Sequence, residues 1–196
     1  MVEPEVNKYN SICFLDHDGV CNDQLFYEAK FAHLKRFDGI PLYKTVKKYL
    51  RKLLKEKQLT DLEYYKSETS EKSIELLNWF CKETNSAIVI SASLRSSWSV
   101  EDLQKIFNYC GATFTIIDKT PYTGYERGTE ISKWLKDNCF QWFGVHYFDF
   151  HCFVIFDDDQ DFLITQQYNL FQTDKYCGLT PTVVDNARKF LTHKTF

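Results

Sequence analysis

Residues 11–22 read S-I-C-F-L-D-H-D-G-V-C-N, and the rest of the chain is organised around this stretch. The apolar run at residues 12–15 is typical of a strand buried on both faces of a parallel sheet. Asp16, Asp18 and then Gly19 follow it. If the strand geometry persists through Asp18, the two carboxylates point to the same side, because side chains repeat with period two. If it breaks at Gly19, both carboxylates lie at the carboxyl edge of the sheet, where open α/β folds bind ligands. Carboxylates so close together repel each other unless a proton or cation lies between them, although Asp and Gly are also ordinary turn residues.

Composition limits the fold and the setting of the protein. A chain of 196 residues suits one domain, or one domain with a small insertion, and its net charge of −3 predicts no general affinity for polyanions. Seven cysteines include no C-x-x-C pair, and Cys13 and Cys152 fall in apolar runs, which favours reduced, buried thiols in a cytoplasmic protein. Residues 1–10 do not resemble a signal peptide, and polar residues interrupt the apolar region 142–156, so we expect no membrane partner.

Residues 23–69 do not fit a standard βα crossover. We predict that they form a small helical insertion that caps a core made of residues 1–22 and 70–196. The central prediction is a helix over residues 41–57 that begins with a proline. Its basic face comprises Lys44, Lys47, Lys48, Arg51, Lys52 and Lys55. This face is either a solvated surface or a surface that meets phosphates.

Three further apolar runs predict strands at residues 87–90, 113–117 and 152–156. Helical patterns separate or follow these runs at residues 70–83, 100–109, 129–138 and 182–191. Strands that alternate with helices indicate βαβ units and a mostly parallel sheet in an α/β fold. Right-handed crossovers then bring the carboxyl ends of all four strands to one edge.

Residues suited to phosphate binding follow the second and third strands. The hydroxyl of Ser91 and the backbone N–H of Ala92 can meet an anion, although the same serine cluster also suits the cap of the next helix. A cation follows the third strand, either Arg127 in a loop or Lys133 in a helix. We favour Arg127, because Lys133 lies roughly 200° around the helix from the apolar Ile131 and so faces solvent.

The fourth strand ends in acids, because residues 157–161 contain four aspartates. A turn does not readily explain such a concentration directly after a buried strand. Together with Asp16 and Asp18, these acids predict a hard cation, and Mg²⁺ suits a site built from a few carboxylates, waters and a substrate phosphate. A carboxylate beside a divalent ion remains ionised and can act as a nucleophile.

Four motifs resemble those of the haloacid dehalogenase (HAD) superfamily: I-C-F-L-D-H-D-G-V, I-V-I-S-A-S, R-G-T-E-I and V-I-F-D-D-D-Q-D. More narrowly, S-A-S-L-R, T-P-Y-T-G-Y-E-R-G-T-E-I and F-D-D-D-Q-D are similar to the HAD domains of RNA-repair proteins. The resemblance covers residues 11–22 and about 70–180 and leaves residues 23–69 unmatched. It implies a HAD-like Rossmannoid three-layer fold and a magnesium-dependent phosphatase that works through an aspartyl-phosphate intermediate.

The resemblance also implies roles for individual residues. Asp16 would attack phosphorus, and Asp18 would protonate the leaving group and then activate water. The transferring phosphoryl group would be held by Ser91, Ala92 and Arg127, or by Lys133 in place of Arg127.

The same resemblance implies a ligand set for Mg²⁺. The ion would be bound by the carboxylates of Asp16 and Asp157 and by the backbone carbonyl of Asp18. Asp158 or Asp161 would orient these ligands.

Two expectations remain. His17 occupies a position that is usually apolar in the family, and strand alternation predicts a core histidine that faces away from both aspartates. Phosphorylated nucleic-acid ends, contacted by the basic helix at residues 44–55, are the expected substrate. The alternatives are a small-metabolite phosphatase, a phosphomutase, or a catalytically silent module that binds nucleic acid.

Overall fold

The computed structural model of the chain describes residues 8–34, 42–147 and 150–193. Its centre is a five-stranded sheet in the order β3-β2-β1-β4-β5, in which every neighbouring pair is parallel. The strands are β1 (Ser11–Leu15), β2 (Ser86–Ile90), β3 (Ile116–Lys119), β4 (Phe153–Asp157) and β5 (Leu170–Gln172). The α/β class and the parallel sheet expected from the sequence are confirmed.

Helices cover both faces of this sheet. Those described are α1 (Gln24–Lys30), α2 (Leu42–Lys55), α3 (Asp61–Glu68), α4 (Glu71–Thr84), α5 (Val100–Tyr109), α6 (Arg127–Phe143) and α7 (Pro181–Thr192). Apolar residues of α4, α5 and α7 share one core cluster, and those of α6 belong to a second cluster on the other face. None of the described helices has both the length and the apolar character that crossing a membrane requires.

Strand β1 shows how the sequence builds the two faces. Cys13 and Leu15 belong to the cluster with α4, α5 and α7, whereas Ile12 and Phe14 belong to the cluster with α6. Because successive side chains of a strand alternate between faces, a strand covered by helices on both sides needs a continuous apolar run. The run ends at Leu15, so the next residue, Asp16, leaves the sheet at its carboxyl edge.

Helices α1, α2 and α3 have a hydrophobic cluster of their own. Val46 and Leu50 of α2 pack there with Tyr27 of α1 and Tyr64 of α3. This helical unit lies within the predicted insertion, and the domain boundaries themselves stay a prediction. The proline expected to open α2, Pro41, lies outside the described residues.

Several elements differ from the sequence expectations. Strand β5 is a fifth strand that the sequence did not predict, because its three residues are too few to show a period. Helices α1 and α3 also went unpredicted, since they are short and mix polar with aromatic residues. Strand β3 begins at Ile116, three residues later than expected, and α6 is longer than expected at both ends.

Candidate active site

Asp16 lies at the point where β1 ends and is only 5 % exposed. Its backbone N–H donates to the carbonyl of Phe156 at 3.0 Å, which holds the residue at the edge between β1 and β4. Burial raises the pKa of its carboxyl, and the nearby guanidinium of Arg127 offsets only part of that effect. Asp16 is therefore a buried acid placed where open α/β sheets bind ligands.

Arg127 connects Asp16 to the end of β4. Its Nη1 lies 3.0 Å from Oδ1 of Asp16 and also donates to Oδ2 of Asp157, which is completely buried. Burial and the charge of Asp16 raise the pKa of Asp157 to about 7. One positively charged guanidinium thus contacts two buried carboxyl groups, and acidic groups outnumber basic ones at this position.

The acids at this edge include a set suited to a metal ion. Ligand oxygens of Asp16, Asp157 and Asp158 all lie within 4.8 Å of one another. Carboxylate oxygens are the ligands that Mg²⁺ and other hard cations take, and a bound cation would favour the ionised form that burial disfavours in these three groups. The donor set therefore fits a divalent ion, without specifying which one.

Glycine is required where Asp158 approaches the loop after β1. Gly19 has a φ of +75°, and a Cβ built there would overlap the carboxyl group of Asp158. The D-x-D-G motif thus ends in glycine because the acidic loop after β4 passes directly against it.

Asp161 has a different position from Asp158. Its carboxylate accepts from the backbone N–H of Arg127 at 3.3 Å, and its carbonyl accepts from that of Gly128 at 3.1 Å, so it holds the start of α6. A Cβ at Gly128 would lie 2.5 Å from the backbone nitrogen of Leu163, which explains the glycine in R-G-T. Of the two acids offered as supporting residues, the structure places Asp158 beside Asp16 and Asp157, and Asp161 behind Arg127.

Asp18 faces the helical insertion. Oδ1 of its half-exposed carboxylate lies 2.7 Å from Nζ of Lys47 and accepts from Nδ2 of Asn22 at 3.0 Å. Although partial burial acts to raise the pKa of Asp18, His17 and Lys47 outweigh it and hold that pKa below its usual range. The side chain of Asp18 lies outside the acidic cluster of Asp16, Asp157 and Asp158, and metal binding through its backbone carbonyl stays a prediction.

Ser91 lies directly beside the end of β1. Its backbone N–H donates to the carbonyl of Leu15 at 2.9 Å, and its fully buried Oγ has no hydrogen-bond partner among the described residues. Its neighbour Ala92 lines a pocket of about 110 Å³ together with Asp16 and Asp18. The structure therefore brings a hydroxyl with unused hydrogen-bonding capacity to the edge where the two aspartates lie.

A family model described as the HAD domain in Swiss Army Knife RNA repair proteins matches residues 12–184. The chain belongs to this family. The matched range runs through residues 23–69, which the sequence motifs had left unmatched. The comparisons with curated proteins and with solved structures gave no significant match. The HAD assignment made from the sequence is confirmed by the family match.

Lys133, the alternative cation in this HAD domain, lies away from the acids. Its ammonium is half-exposed and pairs with Asp137 one turn further along α6, at 2.7 Å. Arg127 contacts Asp16 and Asp157 directly, so the structure brings the favoured cation to the site and leaves Lys133 on the surface.

His17 corrects one expectation. Its Nδ1 lies 3.5 Å from Oδ1 of Asp18, so the ring does not face away from both aspartates. The ring is buried, with Nε2 at 3.0 Å from Oγ1 of Thr69. The strand ends at Leu15, so alternation no longer governs residue 17, and His17 joins the end of α3 to the Asp18 loop.

A buried arginine near the site went unrecognised in the sequence. Arg95 pairs with Glu130 of α6, and its guanidinium also donates to the carbonyl of Ser91. The other oxygen of Glu130 accepts from the backbone N–H of Thr123 at 2.7 Å. This pair fixes the Ser91 loop against α6. In the sequence, it shows only as one charged residue in each of two motifs, Arg95 in S-A-S-L-R and Glu130 in R-G-T-E-I.

Proposed function

We propose that this HAD domain is a magnesium-dependent phosphatase that works through an aspartyl-phosphate on Asp16 and acts on phosphorylated nucleic-acid ends. The observation that carries the proposal is the shared pocket of Asp16 and Asp18. One acid is buried against Arg127 and the acidic cluster, and the other faces solvent and the insertion. Such a difference in surroundings suits two carboxylates with separate roles.

In the first half-reaction, an oxygen of Asp16 attacks phosphorus and the bond to the leaving oxygen breaks. Asp18 gives its proton to that oxygen, so the product departs as an alcohol. Ser91, Ala92 and Arg127 supply donors for the oxygens of the transferring group.

In the second half-reaction, Asp18 removes a proton from water as the water attacks phosphorus. The bond to Asp16 breaks, inorganic phosphate forms and Asp18 is protonated again. A bound Mg²⁺ would be held by Asp16, Asp157 and the carbonyl of Asp18 and would offset the charge of the phosphoryl oxygens. Asp158 supports this set from beside Gly19.

In the protein without substrate, Lys47 contacts Asp18 and stabilises its ionised form. The first half-reaction, in contrast, needs a protonated Asp18. A phosphate monoester entering the pocket competes for the ammonium of Lys47, and this competition allows the pKa of Asp18 to rise. Lys47 therefore couples substrate binding to the protonation of the acid.

The nucleic-acid part of the proposal rests on the basic face of α2. Lys47 and Arg51 line the pocket with Asp16, and Arg51 also lines an open hollow of about 720 Å³ with Lys48, Lys52 and Lys55. Basic side chains thus continue from the reacting carboxylate along the helix. A strand entering by its phosphorylated end would place its next phosphates against them.

A comparison of substrates tests this proposal. A 3′-phosphorylated oligonucleotide should be hydrolysed faster than the mononucleotide at low salt, and the advantage should shrink as salt increases. Lys48/Arg51/Lys52→Ala should remove the advantage. Lys82/Lys105/Lys136→Ala, which removes the same charge from other helices, should keep it. Better hydrolysis of the mononucleotide or of a sugar phosphate at every salt concentration would instead indicate a small-metabolite phosphatase.

A further inference from the structure

Glu68, the last residue of α3, is a buried carboxylate with no role in the chemistry above. It is only 4 % exposed, and its Oε1 has no hydrogen-bond partner among the described residues. It lines the same pocket of about 110 Å³ as Asp16 and Asp18. A buried carboxylate oxygen without a donor is costly, so its position beside the reacting groups calls for a binding partner.

The surroundings of Glu68 define what that partner can be. Tyr64 and Arg51 line the same pocket as Glu68, so the carboxylate lies beside an aromatic ring and a basic side chain. A carboxylate oxygen accepts hydrogen bonds, so an unprotonated phosphate oxygen is not its partner. The partner must carry an N–H or O–H donor close to the phosphate that enters the pocket.

In a nucleic-acid end, the donor nearest to a 3′-phosphate is the 2′-hydroxyl on the adjacent carbon of the same sugar. DNA lacks this group, which is why proteins can use it to distinguish RNA from DNA. A base amine lies on the far side of the sugar and would need a larger pocket than the one that Glu68 lines.

We infer that Glu68 accepts a hydrogen bond from the sugar hydroxyl beside the scissile phosphate, so that the site selects ribonucleotide ends over deoxyribonucleotide ends. This inference rests on the proposed phosphatase activity and adds a specificity-determining residue to it. A site built around an acceptor for a hydroxyl rejects the analogue without one, because the buried acceptor is then left unpaired.

The test uses three oligonucleotides of one sequence with a 3′-phosphate, whose last sugar is ribose, 2′-deoxyribose or 2′-fluororibose. The fluoro sugar keeps a ribose-like pucker but cannot donate a hydrogen bond. We expect kcat/KM to be roughly tenfold to a hundredfold higher for the ribose end than for either of the others.

Two variants of Glu68 connect the preference to the residue. Glu68→Ala should bring the ribose end down to the deoxyribose level, and Glu68→Gln, which keeps a weaker acceptor, should give an intermediate ratio. Glu71→Gln, an exposed glutamate that forms a surface pair with Lys66, serves as the matched control and should keep the full ratio.

Each outcome has a distinct meaning. Equal hydrolysis of ribose and deoxyribose ends, or a fluoro end as good as the ribose end, would overturn the role of Glu68 while the proposed phosphatase stands. A ribose preference that survives in Glu68→Ala would overturn it as well. If the wild type hydrolyses an aryl phosphate but none of the three oligonucleotides, the nucleic-acid proposal fails, and the inference fails with it.

Discussion

Arg95, which is buried, and Arg127, which is partly buried, both pair with acids in this HAD domain but differ in charge balance. Arg95 meets one carboxylate, that of Glu130, so the charges of the pair cancel. Arg127 contacts Asp16 and Asp157 and lies 4.0 Å from Asp159, so acids outnumber it. Both lie near the carboxyl edge of the sheet. The difference indicates that the balanced Arg95 pair is structural, whereas the excess of acids makes the region around Arg127 the candidate site.

The neighbours of the two arginines support this distinction. Glu130 has its remaining oxygen bonded to Thr123, so the Arg95 pair needs nothing further. Around Arg127, one guanidinium contacts both Asp16 and Asp157, and burial raises the pKa of both carboxyl groups despite that contact. A divalent cation would supply the positive charge that the region around Arg127 lacks.

The largest expected effect on turnover comes from changing Asp16, one of the two acids that contact Arg127. Asp16→Asn should lower kcat by at least about a thousandfold, because the amide is nearly isosteric but cannot attack phosphorus. Asp137→Asn, which changes a surface acid paired with Lys133, should retain wild-type turnover. Steady-state kinetics with an aryl phosphate measures both, and turnover persisting in Asp16→Asn would remove Asp16 from the reaction.

Arginine variants test the comparison itself. Arg95→Met should cost about 3–5 kcal/mol of stability whether or not Mg²⁺ is present, because it leaves Glu130 buried without its partner. Arg127→Met should also destabilise the metal-free protein, but here Mg²⁺ should restore much of the loss. Denaturant unfolding with and without Mg²⁺ distinguishes the two variants. If Mg²⁺ raised the free energy of unfolding equally in both variants, the proposed difference between the Arg95 pair and the Arg127 site would be contradicted.

Metal binding should depend on pH. The folded pKa of Asp157 is raised to about 7 from an ordinary value near 4, so the folded protein takes up a proton and metal-free stability falls as pH rises towards 7. Mg²⁺ competes with that proton, so its stabilising effect should grow from pH 6 to pH 8, reaching about 2.7 kcal/mol at a hundred times its Kd.

Thermal unfolding at the two pH values measures this effect. In Asp157→Asn, both the pH dependence and most of the Mg²⁺ response should be lost. A Mg²⁺ response in that variant equal to the wild type would place the ion elsewhere.

The smallest effect is expected at Lys47. Lys47→Ala removes a positive charge that lowers the pKa of Asp18, so this pKa should rise and the protonated acid should persist to higher pH. The decline of kcat/KM on the basic side of its pH profile should therefore shift to higher pH. Lys44→Ala on the same helix is the control and should leave this decline in place. If the basic side of the kcat/KM profile is unchanged in Lys47→Ala, the ionisation that causes this decline is not that of Asp18.

Much of the site follows from one local rule and could be predicted from sequence. Asp16, Ser91 and Asp157 each lie at the end of an apolar run, so a parallel sheet necessarily gathers them at one edge. The contacts of Lys47 with Asp18 and of Arg95 with Glu130 join residues 29 and 35 positions apart and depend on packing between elements. Local sequence patterns do not reveal contacts between residues so far apart in the chain. They also did not predict β5, which is too short to show a period.

The most direct test of the account is whether Asp16 becomes phosphorylated during turnover. Asp18→Asn removes the group that activates water, while an aryl phosphate has a leaving group that needs no proton, so the intermediate should accumulate in this variant. After acid quenching and digestion at low pH, mass spectrometry should find one added phosphoryl group on Asp16, and none in Asp16→Asn/Asp18→Asn. Phosphate on another residue, or turnover in the wild type with no phosphoryl group trapped on Asp16 in Asp18→Asn, would contradict the proposed mechanism.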